Sequence, residues 1–328
     1  MADDYKHLRG VFNTQDATLS NMLLENMITF YDWGFLDKGA FYNIDIPESG
    51  LYGGDKHKLR PVEDPNYNDG QVWEAYRSNW VWETGVSIDT EPTRISGVFI
   101  NSAFRATGNI QQPYHIDYPD GRVVFDSAVS TTATVELEYS HKWVNVIPAE
   151  GVPWFREIQQ GSMRPDNATF LQFGSGDWAQ LGQTRVQLPA LAVEVIPPKS
   201  FDGFQLGGGQ MVNNDILFYV VAENHWECAN IIDQISFQND RTLWLFDTNK
   251  VAISGVYPLD YRGEVNENAL PSGLYPQLVD DAPNPSDTSY NFRYKRCFIS
   301  DTSAQGITQL SPDLYVGTVR CSTEVKAI

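Results

Sequence analysis

Five histidines, three cysteines and 42 acidic side chains are the residues of this chain equipped for acid–base, nucleophilic or metal chemistry. Zinc boxes set histidines one turn apart on a helix or two apart on a strand. His7, His57, His115, His141 and His225 stand at neither spacing, so no sequence-local metal site is present. His141 continues an apolar alternation and reads as a hydrogen-bonded core histidine. His225 opens a helical stretch with Glu223 nearby and reads as a capping residue. Cys228, Cys297 and Cys321 are odd in number, widely spaced and free of any C-x-x-C pair. They read as buried free thiols of a reducing compartment, not as a disulfide framework or a zinc knuckle. No G-x-S-x-G elbow occurs. Two carboxylates suffice for glycoside hydrolysis, but among 42 some pair always looks suitable, and a solvated face accounts for most of them.

"GFQLGGGQM" (Gly203 to Met211) carries the glycines of a phosphate loop. Gln210 and Met211 stand where a Walker loop needs Lys and Ser/Thr, and the residues that follow read as a strand, not a helix. A hairpin loop is the better reading. Trp73, Trp80 and Trp82 could form an aromatic platform for sugar rings, which gives one alternative function, a carbohydrate-binding or glycan-processing protein. Core packing is the default for such residues. The residues therefore give no catalytic site, no cofactor and no metal.

The elements that would position such groups come from a globular composition. The chain has 328 residues, 42% hydrophobic and 20% charged, enough for two domains. Its net charge of −19 opposes binding to nucleic-acid phosphates or to an anionic membrane. "MADDYKHLRG" has no apolar signal region, and the longest apolar run, Ile216 to Ala222, is too short to span a bilayer. The expectation is a chain made in the cytoplasm with no membrane partner.

"TQDATLSNMLLENMITFYDW" predicts a helix, capped by Asp16 or Thr18 and stopped at Gly34, with Leu19, Met22, Leu23, Met27 and Phe30 as its apolar stripe. "FYNIDIP" and "RISGVFIN" read as strands. Pro119-Asp120-Gly121 joins two more in a hairpin. Val135, Leu137, Tyr139, His141 and Trp143 alternate with polar residues as one half-buried strand with a wet face. The first part thus reads as a β-sandwich or small barrel. Pro148, Gly151 and Pro153 place a boundary near residue 150, with "PWFREIQQG" as a short helix beyond it. Strands at "TRVQLPALAVEVI" (interrupted or begun at Pro189), "DILFYVVAE", "RTLWLFD", "YNFRYKRCFIS" and "LYVGTVRCSTEV" then surround a helix, "NHWECANIIDQISFQ". Cys228, Ile231, Ile232 and Ile235 share one face of that helix. The fold class is α+β: a β-rich N-terminal region, then a mixed or antiparallel sheet carrying one main amphipathic helix. Residues 1–150 form one domain and 151–328 the other, with 35–150 as a possible insertion after the first helix.

Two long stretches, Glu48 to Gln71 and Leu270 to Ser289, hold large apolar residues in a Gly/Pro frame. Ordering each residue costs about 1–2 kcal/mol of backbone entropy. A buried anchor returns about 1.5–3 kcal/mol, so three anchors do not hold twenty residues. Contacts with a neighbouring subunit would complete the balance. Leu51, Tyr52, Tyr67, Leu274, Tyr275 and Leu278 are the candidate subunit-contact residues.

"LPALAVEVI", "GFQLGGGQ", "DILFYVVAENHWECANIIDQISFQ" and the closing strands resemble, over Thr184 to Val325, the tail-terminator (tail-completion) and neck proteins of contractile-tailed bacteriophages. "LSNMLLENMITFYDWGF" and "YPDGRVVFDSAVSTTATVELEYSHKWVNV" are similar to virion structural proteins of such phages. The simplest terminators are much shorter than this chain. The resemblance implies a non-enzymatic virion subunit at the head–tail junction. Copies of itself would form a ring, a hexamer for a terminator, against neck, tail-tube or sheath proteins. DNA would pass through an acidic lumen without sequence-specific binding. A baseplate or collar component is the other virion alternative.

Overall fold

The computed structural model describes residues 19–46, 56–83, 86, 90–151, 187–197, 200–203, 209–248, 257–266 and 294–327. Of the six candidate contact residues only Tyr67 is among them; Leu51, Tyr52, Leu274, Tyr275 and Leu278 lie outside the described residues, as does "PWFREIQQG". The fold is α+β and β-rich, with two curled sheets and few helices. Internal packing groups residues 1–32, 146–255 and 276–328 in one unit, and 33–145 and 256–275 in another. The sequence places a boundary near residue 150; packing changes hands between Asn145 and Val146, and residues 1–32 group with the C-terminal part.

Helix α1 spans Leu19–Asp37. Leu19, Met22, Leu23 and Met27 are buried as the stripe requires, and half-buried Phe30 lies under the Arg241 guanidinium, 5.0 Å from the ring centre. The helix does not stop at Gly34. An isolated glycine costs a helix only about 1 kcal/mol, and Tyr31, Phe35 and Leu36 bury around it. The stop is Gly39, at φ 78°, where the Gly39 and Ala40 amides donate to the Leu36 and Phe35 carbonyls. Asn26, buried, donates to the Phe246 carbonyl and accepts from the Phe246 amide, both at 3.0 Å.

The β-rich unit is built from short strands. A seven-stranded sheet runs β5 (Ala103–Ala106), β4 (Gly97–Ile100), β8 (Val135–Leu137), β2 (Lys58–Pro61), β3 (Val72–Glu74), β7 (Arg122–Phe125), β6 (Tyr114–Asp117). Strand β2 is shared: Lys58 and Leu59 pair with β8, Arg60 and Pro61 with β3. The sheet curls at this point. Leu59, Trp73, Val98, Phe125 and Leu137 from both halves meet in one buried cluster. The Pro119–Gly121 hairpin joins β6 and β7 as its sequence predicts.

Two expectations fail in this unit. The alternating stretch from Val135 is two strands, not one. After β8 the chain leaves the large sheet, and β9 (Tyr139–Lys142) pairs with β1 (Phe41–Ile44). Strand β9 has no wet face: Tyr139, Ser140, His141 and Lys142 are all buried, because polar partners cover the two expected to be solvated. The stretch from Glu48 is likewise no unanchored arm in its described part. It holds β2, and its turns close on themselves through Tyr67 N to Asp64 O and Gln71 N to Asn68 O, both 3.0 Å. Arg122 then reaches Asp64 at 3.6 Å and Glu74 at 3.0 Å. A four-residue strand reading exposed–buried–exposed–exposed leaves too little alternation to be seen.

The C-terminal unit has long strands. An eight-stranded sheet runs β10 (Asn145–Pro148), β11 (Ala190–Val195), β13 (Gln210–Ala222), β17 (Leu314–Ala327), β15 (Tyr294–Ala304), β14 (Thr242–Trp244), with β12 (Ser200–Gly203) on β13 and β16 (Thr308–Ser311) on β17. Gly203 faces Gln210 across the β12–β13 ladder, so the glycine-rich segment connects a hairpin. Strand β11 begins just after Pro189.

Helix α2 (His225–Ser236) buries Cys228, Ile231, Ile232 and Ile235 on this sheet. Its cap is Asn224, not His225: the Asn224 side chain accepts from the Glu227 amide at 2.8 Å, the geometry a short acceptor before the first turn supplies. His225 instead meets Tyr315 edge-on, ring centres 6.0 Å apart. A side chain at Gly317 would run into the Ile232 and Cys228 side chains, so the missing Cβ lets helix and sheet approach. All three cysteines are free and buried. Burial pushes the Cys228 thiol up to about 11, and those of Cys297 and Cys321 to about 12.

Candidate functional site

Among the described residues, the β-rich unit contains a cleft of about 310 Å³. Its floor is the segment Val81–Glu83, held against β9. Lys142 reaches Glu83 at 2.5 Å, and both side chains are almost wholly buried. The second Glu83 oxygen accepts from the Trp82 amide at 3.1 Å, and the Lys142 ammonium stands 5.7 Å from the Trp82 ring centre. A charge pair this deep persists because each partner satisfies the other and neighbouring groups take the remaining valences.

One wall is the extended segment Glu91–Ile95. Buried Ser140 fixes it: the Thr93 amide donates to Ser140 Oγ at 2.6 Å, and that hydroxyl donates onward to Asn43 Oδ1 at 2.6 Å. Asn43 Nδ2 donates to the Glu91 carbonyl at 3.0 Å. Glu91 and Arg94 are left exposed at the rim. The opposite wall is Ile116 and Tyr118.

A small turn, closed by a bridge between Leu259 and Val265, completes the cleft with Glu264 and Val265. Asp260 organises it, its Oδ1 accepting from the Arg262 amide at 2.8 Å and the Glu264 amide at 3.1 Å. The Arg262 guanidinium pairs with Glu264 at 3.0 Å. The turn joins the wall where the Tyr118 amide donates to the Gly263 carbonyl at 3.1 Å.

Burial, and next the Glu264 carboxylate, push the Tyr118 phenol up to about 12, with Arg94 opposing. Tyr118 therefore stays a neutral phenol, able to donate and accept. Beside it, burial pushes the Asp117 carboxyl up to about 6, helped by the carboxylate of Asp120 and, less, that of Asp260. The cleft thus mixes acceptors, donors and apolar wall within a few residues. Among the described residues no group of three or more His, Cys, Asp or Glu side chains could hold a metal ion.

The tryptophan platform does not form. Trp73, Trp80 and Trp82 are only 1%, 0% and 8% exposed. Trp73 and Trp80 turn inward, donating Nε1–H to the Gly70 and Arg77 carbonyls at 2.9 and 2.8 Å. Only Trp82 touches the cleft. His141 is a buried core histidine, its Nδ1 3.2 Å from the Lys142 carbonyl oxygen.

Tyr67 is 42% exposed at the surface of the β-rich unit. The C-terminal unit exposes larger groups that sequence reasoning missed. Trp226 is 69% and Phe237 82% exposed. They lie eleven residues apart along α2 and its helical cap residue, about 20° apart in projection and opposite the buried stripe. The signal was present: the same 3.6-residue period that defines the core face leaves these two aromatics on the other. No helix among the described residues is long and apolar enough to cross a membrane. No family model matches this chain, and no curated protein or solved structure matches it.

Proposed function

We propose that this chain is a non-enzymatic structural subunit of a tailed-phage virion, forming a ring at the head–tail junction as a tail terminator or another neck protein. The observation that carries this reading is the outer face of α2. A helix already satisfied on one side by Cys228, Ile231, Ile232 and Ile235 presents Trp226 and Phe237 on the other. Aromatic groups of this size are enriched where one protein surface meets another, and a homo-oligomer covers them at the least cost in new chemistry. The order strand, glycine-rich hairpin, strand, helix and closing strands, on which the resemblance rests, supports the same reading. The net charge of −19 suits a lumen through which DNA slides without adhering. Neck, tail-tube or sheath proteins are the neighbours in this reading, and the virion is its location.

Native mass spectrometry of the purified chain, with symmetry from electron microscopy, tests it. A ring of six is expected for a terminator and a ring of twelve for a connector-type neck protein. Trp226→Ser with Phe237→Ser should leave folded monomers. A wild-type chain that stays monomeric at every concentration overturns the reading.

A further inference from the structure

We infer that the cleft of the β-rich unit is a binding site for a neutral saccharide one or two rings long. The site belongs to the β-rich unit and shares no residue with the α2 face that carries the ring reading, so it does not depend on that reading. Three properties of the cleft select this ligand class.

Volume comes first. At about 310 Å³ the cleft sits at the small end of ligand sites, room for a mono- or disaccharide and not for an extended chain.

Charge comes second. Glu83, Glu91 and Glu264 line the cleft together with Arg94, and Lys142 and Arg262 pair with two of these carboxylates, so no surplus cation is there to hold a phosphate or carboxylate. A cation is disfavoured as well, because Lys142 already stands by the Trp82 ring and Arg94 holds the rim. Glu83 is neutralised by Lys142 and Glu264 is paired with Arg262, so a neutral guest meets polar groups without a net field.

Hydrogen bonding comes third. A sugar ring presents adjacent hydroxyls, each both donor and acceptor, around an apolar face of C–H groups. Glu91 and Glu264 accept from hydroxyls, Arg94 donates to them, and the neutral Tyr118 phenol and the Thr107 hydroxyl do either. Ile95 and Val265 offer the apolar surface such a ring needs. The walls are held in place by the Ser140–Asn43–Thr93 bonds and the Asp260 turn, so the site is formed before the ligand arrives.

The test titrates the full chain with lactose, cellobiose and N,N′-diacetylchitobiose, following saturation-transfer NMR and tryptophan emission. Choline and galacturonate serve as charged controls. At least one neutral sugar is expected to bind saturably at millimolar concentration or below. Glu264→Gln and Arg94→Ala change groups at the cleft's outer part and should each weaken binding about tenfold, as loss of a charged hydrogen bond does. Far-UV circular dichroism should be unchanged in both. Three results overturn the assignment: no saturable response to any of the sugars, equal binding in wild type and both folded variants, or tighter binding of choline or galacturonate than of every sugar.

Discussion

Strands β13 and β17 of the C-terminal sheet run for 13 and 14 residues, whereas the strands of the seven-stranded sheet have three or four. The long pair is held by its own ladder, by one apolar face against α2, and by buried Asp215 of β13, which binds Arg320 and Ser322 of β17. The short strands, with little ladder of their own, depend on side chains at every junction. Arg122 binds Glu74, Ser140 binds Asn43 and Thr93, and the Trp73 and Trp80 indoles bind main-chain carbonyls. Continuous backbone pairing runs through a mostly apolar interior, in which Asn214, Asp215 and Thr323 are the buried polar groups of β13 and β17. A patchwork of brief strands needs directional bonds at each junction, and those bonds place polar groups inside.

The two modes of support respond differently to damage. Phe218→Ala in the C-terminal sheet should cost about 3–5 kcal/mol in urea unfolding, a cavity loss that no single polar change elsewhere repairs. Lys142→Met in the β-rich unit should cost a similar 3–5 kcal/mol by stranding the Glu83 charge. Adding Glu83→Gln should recover most of it. A double variant as weak as the single one would show that β9 depends on shape and not on charge balance.

Next in size, Ser140→Ala should cost about 1–3 kcal/mol and loosen the Glu91–Ile95 wall, read as faster amide exchange at Thr93. In the other unit, Asn224→Ala removes only a helix cap and should cost about 1 kcal/mol, leaving exchange at Thr93 unchanged.

The last effect is confined to a pH window. The Asp117 carboxyl is raised to about 6 when folded, from 3.8. The folded state therefore holds the extra proton. Its contribution to stability is fully present below pH 3.8 and is lost as pH rises through about 6. Asp117→Asn should flatten the fall in unfolding midpoint across that window. An unchanged slope would mean that other groups set it.

Much of the C-terminal unit can be read from sequence because its signals are long. Cys228, Ile231, Ile232 and Ile235 repeat at helical spacing, and Ile216 to Ala222 outlasts any turn. In the β-rich unit a strand such as Lys58–Pro61 gives a single buried residue, and no period emerges from one. Ser140 and Lys142 read as solvated because their partners, Asn43, Thr93 and Glu83, lie 47 to 97 residues away. The cleft was invisible for the same reason: its floor, two walls and closing turn come from four separate parts of the chain. Of the lining residues the sequence marks Trp82 alone, for a platform that its burial rules out.

The sealed sulfur atoms described above make the molecule its own reporter. Cys228 rides on α2, Cys297 on β15 and Cys321 on β17, and no other thiol exists in the chain to add background. A maleimide dye meets nothing reactive until that layer breathes. One label per chain would then record the helix lifting alone, and three would record the strands parting, so counting adducts separates two openings that a melting curve merges.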